Sequence, residues 1–448
     1  MSIFKLEKPD SKLEEKKVYR LLIDFAKNNN EEVVDLITRS MYPKYIYWDE
    51  IKHKPLPKWI SKEEYWSVIK FFRKTKSEQT PIKAESGSFF RWIKLPDYDE
   101  FLHELDMNTG GRIIGFGNQV DEKNAYKFIS RGIMEEAIAS SQLEGADTVR
   151  VVAKKMLREG RKPRTEGEQM IMNNFIAMKS IEEKYKQQKL DKDMLLELHS
   201  LLMENTVSKE EVGRFRTDED DIIVSDSRDG TIYHTPPKTS FLQDEIERFV
   251  KFANDELGEG PFVHPVIKAI MLHFWLGYLH PFTNGNGRLA RLIFHWYLLK
   301  KDYWAISYLP ISTVIKRARI QYAMAYVYSE QDDYDLTYFV DYNIRRIKYA
   351  VADFEEYMKK KSKENLMMRK RCQEQHGLNE RQIQLLQYLY KNPEGSTSWK
   401  VHMNINNVSK LTAIKDLKSL EKTGFIKSKK TGRNVNYYAT DRIEELFS

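Results

Sequence analysis

The sequence predicts a mainly helical protein that carries one β-hairpin and ends in a small, separate module of three helices and a basic hairpin. Three observations carry that prediction. Residues 125–365 repeat apolar positions at helical spacing almost without interruption. The exception is DDIIVSDSRDGTIYHTPP (220–237), where Asp229-Gly230 divides two β-branched stretches, a hairpin signal closed by a double proline. From residue 378 onward the pattern changes to three short amphipathic segments followed by strand, basic turn and strand.

At roughly 100–200 residues per domain, 448 residues suggest two to four domains. Three regions are expected: an accessory region over 1–110, a helical domain over 111–365 and a module over 378–448. In the first, KLEEKKVYRLLIDFAKNN and SKEEYWSVIKFFRKTK have helical spacing. YPKYIYWDEIKHKPLPKW reads as a packed irregular connector. TPIKAESGSF and NTGGRIIGFGN read as loops, with a boundary near the second. The helical domain is expected to hold helices at 125–143, 146–158, 166–187, 192–204, 240–256, 264–279, 287–300, 311–328 and 336–364. Residues 359–376 extend as a charged helical connector. In the last module Asn379 should cap a helix over LNERQIQLLQYLY, STSWKVHMNI should form a second, and a third over about 408–423 should end at Gly424.

Composition narrows the function classes. Hydrophobic content of 41% and aromatic content of 12% supply apolar surface for cores and argue against global disorder. The one cysteine, Cys372, excludes an internal disulfide, and no metal-ligand spacing accompanies it. No apolar run reaches the length of a membrane span, and the N-terminus has no signal-like apolar core, so a soluble cytoplasmic protein without a membrane partner is expected. Net charge is +7, yet residues 378–448 hold 12 Lys and Arg against 7 Asp and Glu. An excess concentrated in one module points to an anionic partner there.

HPFTNGNGRLAR (280–291) carries the chemistry. Gly285 and Gly287 permit backbone conformations closed to other residues. A loop of small residues running into a helix directs several N–H groups at one point, which suits an anion. Arg288 and Arg291 lie one turn apart and offer planar forks to phosphate oxygens. His280, just before the loop, can take a proton from an attacking hydroxyl. Asn284 and Asn286 add amide groups for a metal or phosphate. Spacing alone leaves open a plain helix–loop–helix turn with exposed arginines.

HPFTNGNGRLAR resembles the Fic signature, HxFx(D/E)GNGRxxR, with His280, Phe282, Gly285, Asn286, Gly287, Arg288 and Arg291 in place. The resemblance spans about residues 125–350: HPVIKAIMLHFWLGYL is similar to the helix before the signature, GRFRTDEDDIIV to the approach to the flap, and His234-Thr-Pro-Pro to its exit. It implies a Fic helical bundle with a β-hairpin flap, and transfer of AMP from ATP, with Mg²⁺ or Mn²⁺, to a Ser, Thr or Tyr hydroxyl of a protein. His280 would be the base. Gly285, Asn286 and Gly287 would hold the α- and β-phosphates, Arg288 the β-phosphate and Arg291 the γ-phosphate. Tyr322 and Tyr326 fall where nucleoside-pocket residues are expected, or are core. An unidentified target protein would pair with the flap at 220–237. Asn284 replaces the family's metal-binding acid; that leaves weaker metal binding, a different donor, or feeble transfer by a binding platform as alternatives.

SSQLEG (140–145) is by itself a helix end capped by glycine. Beside a Fic core it resembles the inhibitory motif (S/T)xxxE(G/N), with Ser140, Glu144 and Gly145 in register on a helix near 130–145. By that resemblance Glu144 would pair with Arg291 and exclude the γ-phosphate; removal of AMP through the same glutamate stays open. The C-terminal module looks like a winged helix-turn-helix. Ser409, Lys410, Thr412, Lys415 and Lys418 would face a DNA groove, and the turn from Lys429 through Lys430 to Arg433 would form the wing. Protein contact or a solvated charge run is the alternative. A DNA-binding regulator with a nucleotide-sensing core is the competing function, and a homodimer stays open.

Overall fold

The computed structural model describes residues 2–9, 13, 15–28, 30–109, 122–226, 228–258, 261–303, 309–431 and 434–446. Its helices are α1 (Glu15–Asn28), α2 (Asn30–Met41), α3 (Trp48–Ile51), α4 (Lys62–Lys76), α5 (Asp97–Thr109), α6 (Glu122–Leu143), α7 (Arg150–Glu159), α8 (Glu166–Ser180), α9 (Lys192–Met203), α10 (Thr239–Ala253), α11 (Pro265–Leu279), α12 (Asn286–Lys300), α13 (Ile311–Lys316), α14 (Arg319–Gln331), α15 (Thr337–His376), α16 (Glu380–Lys391), α17 (Trp399–Asn406) and α18 (Lys410–Lys422). Strands β1 (Glu78–Lys83) and β2 (Phe89–Trp92) pair, as do β3 (Val224–Ser225) and β4 (Ile232–His234). Strands β5 (Ser396–Thr397), β6 (Ile426–Thr431) and β7 (Asn434–Ala439) form a sheet in the order β5-β7-β6. The protein is mainly helical, as the sequence predicts.

Backbone contacts group the chain into two units. One comprises 1–106, 180–303 and 314–348; the other comprises 107–179, 304–313 and 349–448. This grouping does not cut at the linear boundaries expected from the sequence.

The first unit is built around α11 and α12. Both are buried nearly all round, from Val266 to Leu279 and from Arg288 to Leu299, the mark of helices inside a bundle rather than on its surface. The N-terminal residues join this unit through a buried polar knot. Arg73 of α4 donates to the carbonyls of Ser40 (2.8 Å) and Ile46 (2.9 Å) and to the Tyr338 hydroxyl (2.9 Å), with Tyr45 beneath its guanidinium at 3.6 Å. The connector expected to be irregular is packed as expected, with Tyr45 to Trp48 buried, but it includes the short helix α3.

TPIKAESGSF is not a loop: it lies in the β1–β2 hairpin. Thr80, Ile82, Phe90 and Trp92 are buried at alternate positions. Pro81 hides that alternation, and a proline is tolerated in a two-stranded ribbon because both strands are edges. The expected loop NTGGRIIGFGN begins within α5, and from residue 110 it lies outside the described residues, as does the boundary placed there. The helix expected over 311–328 is two helices, because Ala318 leaves helical geometry (φ −137°, ψ 46°). The one expected over 166–187 ends in a wider π turn at Ile181–Tyr185.

In the second unit, α6, α7 and α8 share a core of Met134, Ile138, Ala153, Met156, Met170 and Ile171. The C-terminal segments pack around Ile383, Leu386, Leu417, Leu420, Phe425 and Tyr437. Asn379 caps α16 as expected, in a reciprocal box with Gln382. The segment STSWKVHMNI is only partly helical. Ser396 and Thr397 pair with β7, and Ser398 caps α17 by accepting from Val401 N–H (3.3 Å). Gly424 follows α18 with φ +80°, a conformation suited to glycine.

Candidate active site

The loop between α11 and α12 is shaped by its own backbone. His280 ends α11 in the left-handed region (φ +47°), its N–H still donating to Leu276 O (3.0 Å). Gly285 begins α12 at φ +77°, and a side chain there would also collide with Met203 of α9. Gly287 lies inside the first turn of α12 and needs no special conformation. The N–H groups of that turn have no intrahelical acceptors, as at the start of any α-helix.

Each asparagine of the motif fastens the loop. Asn286 spans it from within: Nδ2 donates to Phe282 O (2.8 Å) and Oδ1 accepts from Phe282 N–H (3.0 Å). Asn286 is buried, so its side chain shapes the loop while its backbone belongs to the helix start. Asn284 is exposed, and its Oδ1 accepts from Gly285 N–H (2.7 Å). Arg288 and Arg291 are buried, at 2% and 3% exposure, which excludes the reading as a turn with exposed arginines. Arg288 Nη1 donates to Leu202 O (3.2 Å) at the end of α9. The Arg291 charge, after burial, is a cause of the depressed pKa of His273.

His280 is oriented from both sides. Its Nδ1 lies 3.3 Å from Gly277 O. A carbonyl only accepts, so in the neutral ring Nδ1 carries the proton and Nε2 the lone pair. Arg216 fixes the backbone here: Nε donates to His280 O (2.7 Å), Nη2 to Leu279 O (3.3 Å) and to Pro237 O, and its own N–H to Pro281 O (2.9 Å). One guanidinium thus joins the exit of the β3–β4 hairpin to the residues around His280. His234, at the end of β4, adds a second link. Its Nε2 donates to Tyr278 O (2.8 Å) and its Nδ1 meets Glu330 Oε2 at 2.7 Å, with its ring 6.2 Å from that of His280.

Two further residues support the loop. His199 of α9 is fully buried and stacks on Phe282, with ring centres 3.8 Å apart. Its Nδ1 accepts from Gly213 N–H (3.1 Å), so Nε2 donates to Asn284 O (3.1 Å). Burial pushes its pKa down to about 4, which keeps it neutral in that arrangement. Glu211 accepts from the Thr283 hydroxyl (3.0 Å) and the Ser208 hydroxyl (2.9 Å). Sequence reasoning missed Glu211, His199 and the role of Arg216. Arg216 stood within the quoted GRFR segment; His199 and Glu211 carry no local signal, because only tertiary contact brings them to the loop.

Tyr322 reaches this region through His273, whose Nε2 lies 2.7 Å from its hydroxyl. Tyr326 stacks on Phe274 (5.3 Å) and packs against Gly277. Both tyrosines are therefore built into the aromatic core behind the loop, and Tyr322 remains half-buried.

In the second unit, α6 stops at Leu143 and Gly145 takes φ +100°, as the helix-end reading of SSQLEG requires. Ser140 is buried and Glu144 is exposed. On α18, Ser409, Lys410, Lys415 and Lys418 are exposed, and Thr412 is partly so. Ser409 is the helix cap, bound to Thr412 N–H (3.2 Å), and Lys410 lies 4.7 Å from the Trp399 ring. Lys430 is exposed on β6; Arg433 lies outside the described residues.

Among the described residues no group of three or more His, Cys, Asp and Glu could hold a metal by itself, and no helix is long and apolar enough to cross a membrane. A cation at this loop would depend on oxygens of a bound ligand together with few protein donors.

Residues 189–298 match the Fic/DOC family. A protein adenylyltransferase Fic of Nematostella vectensis is 32% identical over 113 residues, 25% of this chain and 23% of that protein. The protein adenylyltransferase fic-1 of Caenorhabditis elegans is 28% identical over 124 residues, 27% of this chain and 21% of that protein. The chain thus spans less than a quarter of the length of these curated relatives. Among solved structures, a Fic family protein from Desulfovibrio desulfuricans G20 is similar with a TM-score of 0.48 at 18% identity, covering 78% of this chain and 97% of that one. Fic-1 from C. elegans gives 0.45 at 19% identity, covering 59% and 73%.

Proposed function

We propose that this Fic-domain protein is a nucleotidyltransferase that moves AMP from ATP to a Ser, Thr or Tyr hydroxyl of a protein, itself included, under restraint by Glu144. The observation that carries this reading is His280 with Nδ1 on a carbonyl, placed beside a helix N-terminus and two buried arginines. In the reaction Nε2 takes the proton of the target hydroxyl. The oxygen attacks the α-phosphorus of ATP, the bond from that phosphorus to the bridging oxygen breaks, and pyrophosphate leaves. The N–H groups at the start of α12 hold phosphate oxygens, with Arg288 and Arg291 on the β- and γ-phosphates. Tyr322 borders the nucleoside. Asn284 offers one neutral amide oxygen to Mg²⁺ or Mn²⁺, which when bound would offset phosphate charge; that oxygen already accepts from Gly285 N–H.

The β3–β4 hairpin would align the target segment by strand pairing. Glu144, with Ser140 and Gly145 shaping its helix end, would neutralise the guanidinium of Arg291 and block productive γ-phosphate binding. Residues 378–448 would act as a winged helix-turn-helix that binds DNA through Ser409, Lys410, Thr412, Lys415, Lys430 and Arg433; the exposed lysines of α18 support that part. A cytoplasmic site and a possible homodimer complete the reading.

Labelled ATP tests it. The Glu144→Gly protein should acquire label from the α-phosphate and none from the γ-phosphate, in excess of the wild type. Label from the γ-phosphate would make the protein a phosphoryl transferase instead. Equal labelling of wild type and variant would remove the restraint assigned to Glu144.

A further inference from the structure

The loop presents an amide where a cation site wants negative charge, and the structure brings a carboxylate from elsewhere to the hydroxyl of the neighbouring Thr283. Glu211 lies 72 residues before Thr283 and accepts from its hydroxyl at 3.0 Å, one residue from Asn284. Its other oxygen accepts from Ser208 (2.9 Å). An ionised carboxylate has about four acceptor positions, so these two bonds leave capacity on both oxygens. Glu211 is only partly buried, which leaves it open to a hydrated ion. Arg214, close enough to feel the Glu211 charge, commits its fork to Asp220 at 2.8 Å on each side. Asn284, meanwhile, uses its amide oxygen to hold Gly285 N–H, a role in loop shape that needs no charge.

From this arrangement we infer that Glu211 is the metal-binding carboxylate of the site. It supplies from the α9–β3 connection the negative charge that Asn284 does not. The two functions of one acidic side chain are divided: Asn284 shapes the loop and Glu211 attracts the divalent cation that accompanies a nucleoside triphosphate. Mg²⁺ and Mn²⁺ accept such a division, because they keep several waters and need only one or two carboxylates beside phosphate oxygens. The inference rests on the nucleotide-transfer reading of the same loop.

The test uses the full chain, a non-hydrolysable ATP analogue and Mn²⁺ followed by electron paramagnetic resonance. Glu211→Gln keeps the acceptor for Thr283 and removes the charge. It should weaken Mn²⁺ binding in the presence of the analogue by about tenfold or more and leave metal-free binding of the analogue unchanged. Asn284→Asp added to Glu211→Gln should restore the Mn²⁺ affinity, since the acid then returns to the loop. An unchanged Mn²⁺ affinity in Glu211→Gln, with the analogue still bound, would overturn the assignment and leave the transferase reading intact. So would a double variant no tighter than Glu211→Gln. A Glu144→Gly protein, freed of the restraint, that binds no analogue would overturn both.

Discussion

The side chains that define the loop divide between those assigned chemistry in the proposed function and those that hold backbone. His280, Arg288 and Arg291 were legible in the sequence, because their types and spacing suit a base and an anion site. His199 was not: a lone histidine on an apolar helix has no distinguishing pattern, and its partners, Gly213 and Asn284, are remote in sequence. Glu211 was hidden for the same reason. The structure makes His199 a keystone, neutral, stacked on Phe282 and bonded at both nitrogens. Replacing it with alanine would leave a cavity and strand a buried N–H and a carbonyl. His199→Ala should therefore cost about 2–4 kcal/mol, seen as a lower midpoint in thermal or urea unfolding. An unchanged midpoint would show that the loop does not depend on it.

Among the elements, the β3–β4 hairpin was visible from Asp229-Gly230, and the long helices from their period. The β1–β2 hairpin was masked by Pro81, and the break between α13 and α14 rests on the backbone conformation of Ala318, which no local residue type announced. What ties β4 down was equally invisible. His234 has a carbonyl at Nε2 and a carboxylate at Nδ1, an arrangement that a doubly protonated ring satisfies. Burial opposes that charge, but the Glu330 carboxylate and the two acceptors outweigh it and raise the His234 pKa. Arg216 also acts on it and opposes protonation to a smaller degree, while the His280 ring lies 6.2 Å away. The stabilisation is full below the ordinary histidine value of about 6.5 and is lost as pH rises through the raised folded value. Hydrogen exchange in β3 and β4, corrected for its intrinsic pH dependence, should therefore lose protection on the alkaline side. His234→Gln should abolish that dependence; the same profile in the variant would place the titration elsewhere.

For the whole molecule, the sequence conveyed class and order of segments better than their grouping. Residues 1–106 fall in one contact unit with 180–303, whereas α6 to α8 fall with the C-terminal segments. Linear reading assigned boundaries to composition shifts, but units follow long-range packing, such as Arg73 on Tyr338. The basic end of the chain was legible from its charge count alone, and Lys410, Lys415 and Lys418 of α18 are exposed. If they contact phosphates, affinity for duplex DNA should fall steeply with salt, and Lys415→Ala should reduce the slope of log K against log salt by about 1. A salt-independent affinity would assign this face to a protein partner.

In the proposed function His280 drives nucleotidyl transfer and Glu144 restrains it. Intact-mass spectrometry of the Glu144→Gly protein after incubation with ATP and Mg²⁺ or Mn²⁺, beside Glu144→Gly with His280→Ala, tests it most directly. The expected result is a mass increment of one AMP in the first and its loss, by a factor on the order of 10²–10⁴ in rate, in the second. An increment that survives without His280, or none in either protein with either metal, would contradict it.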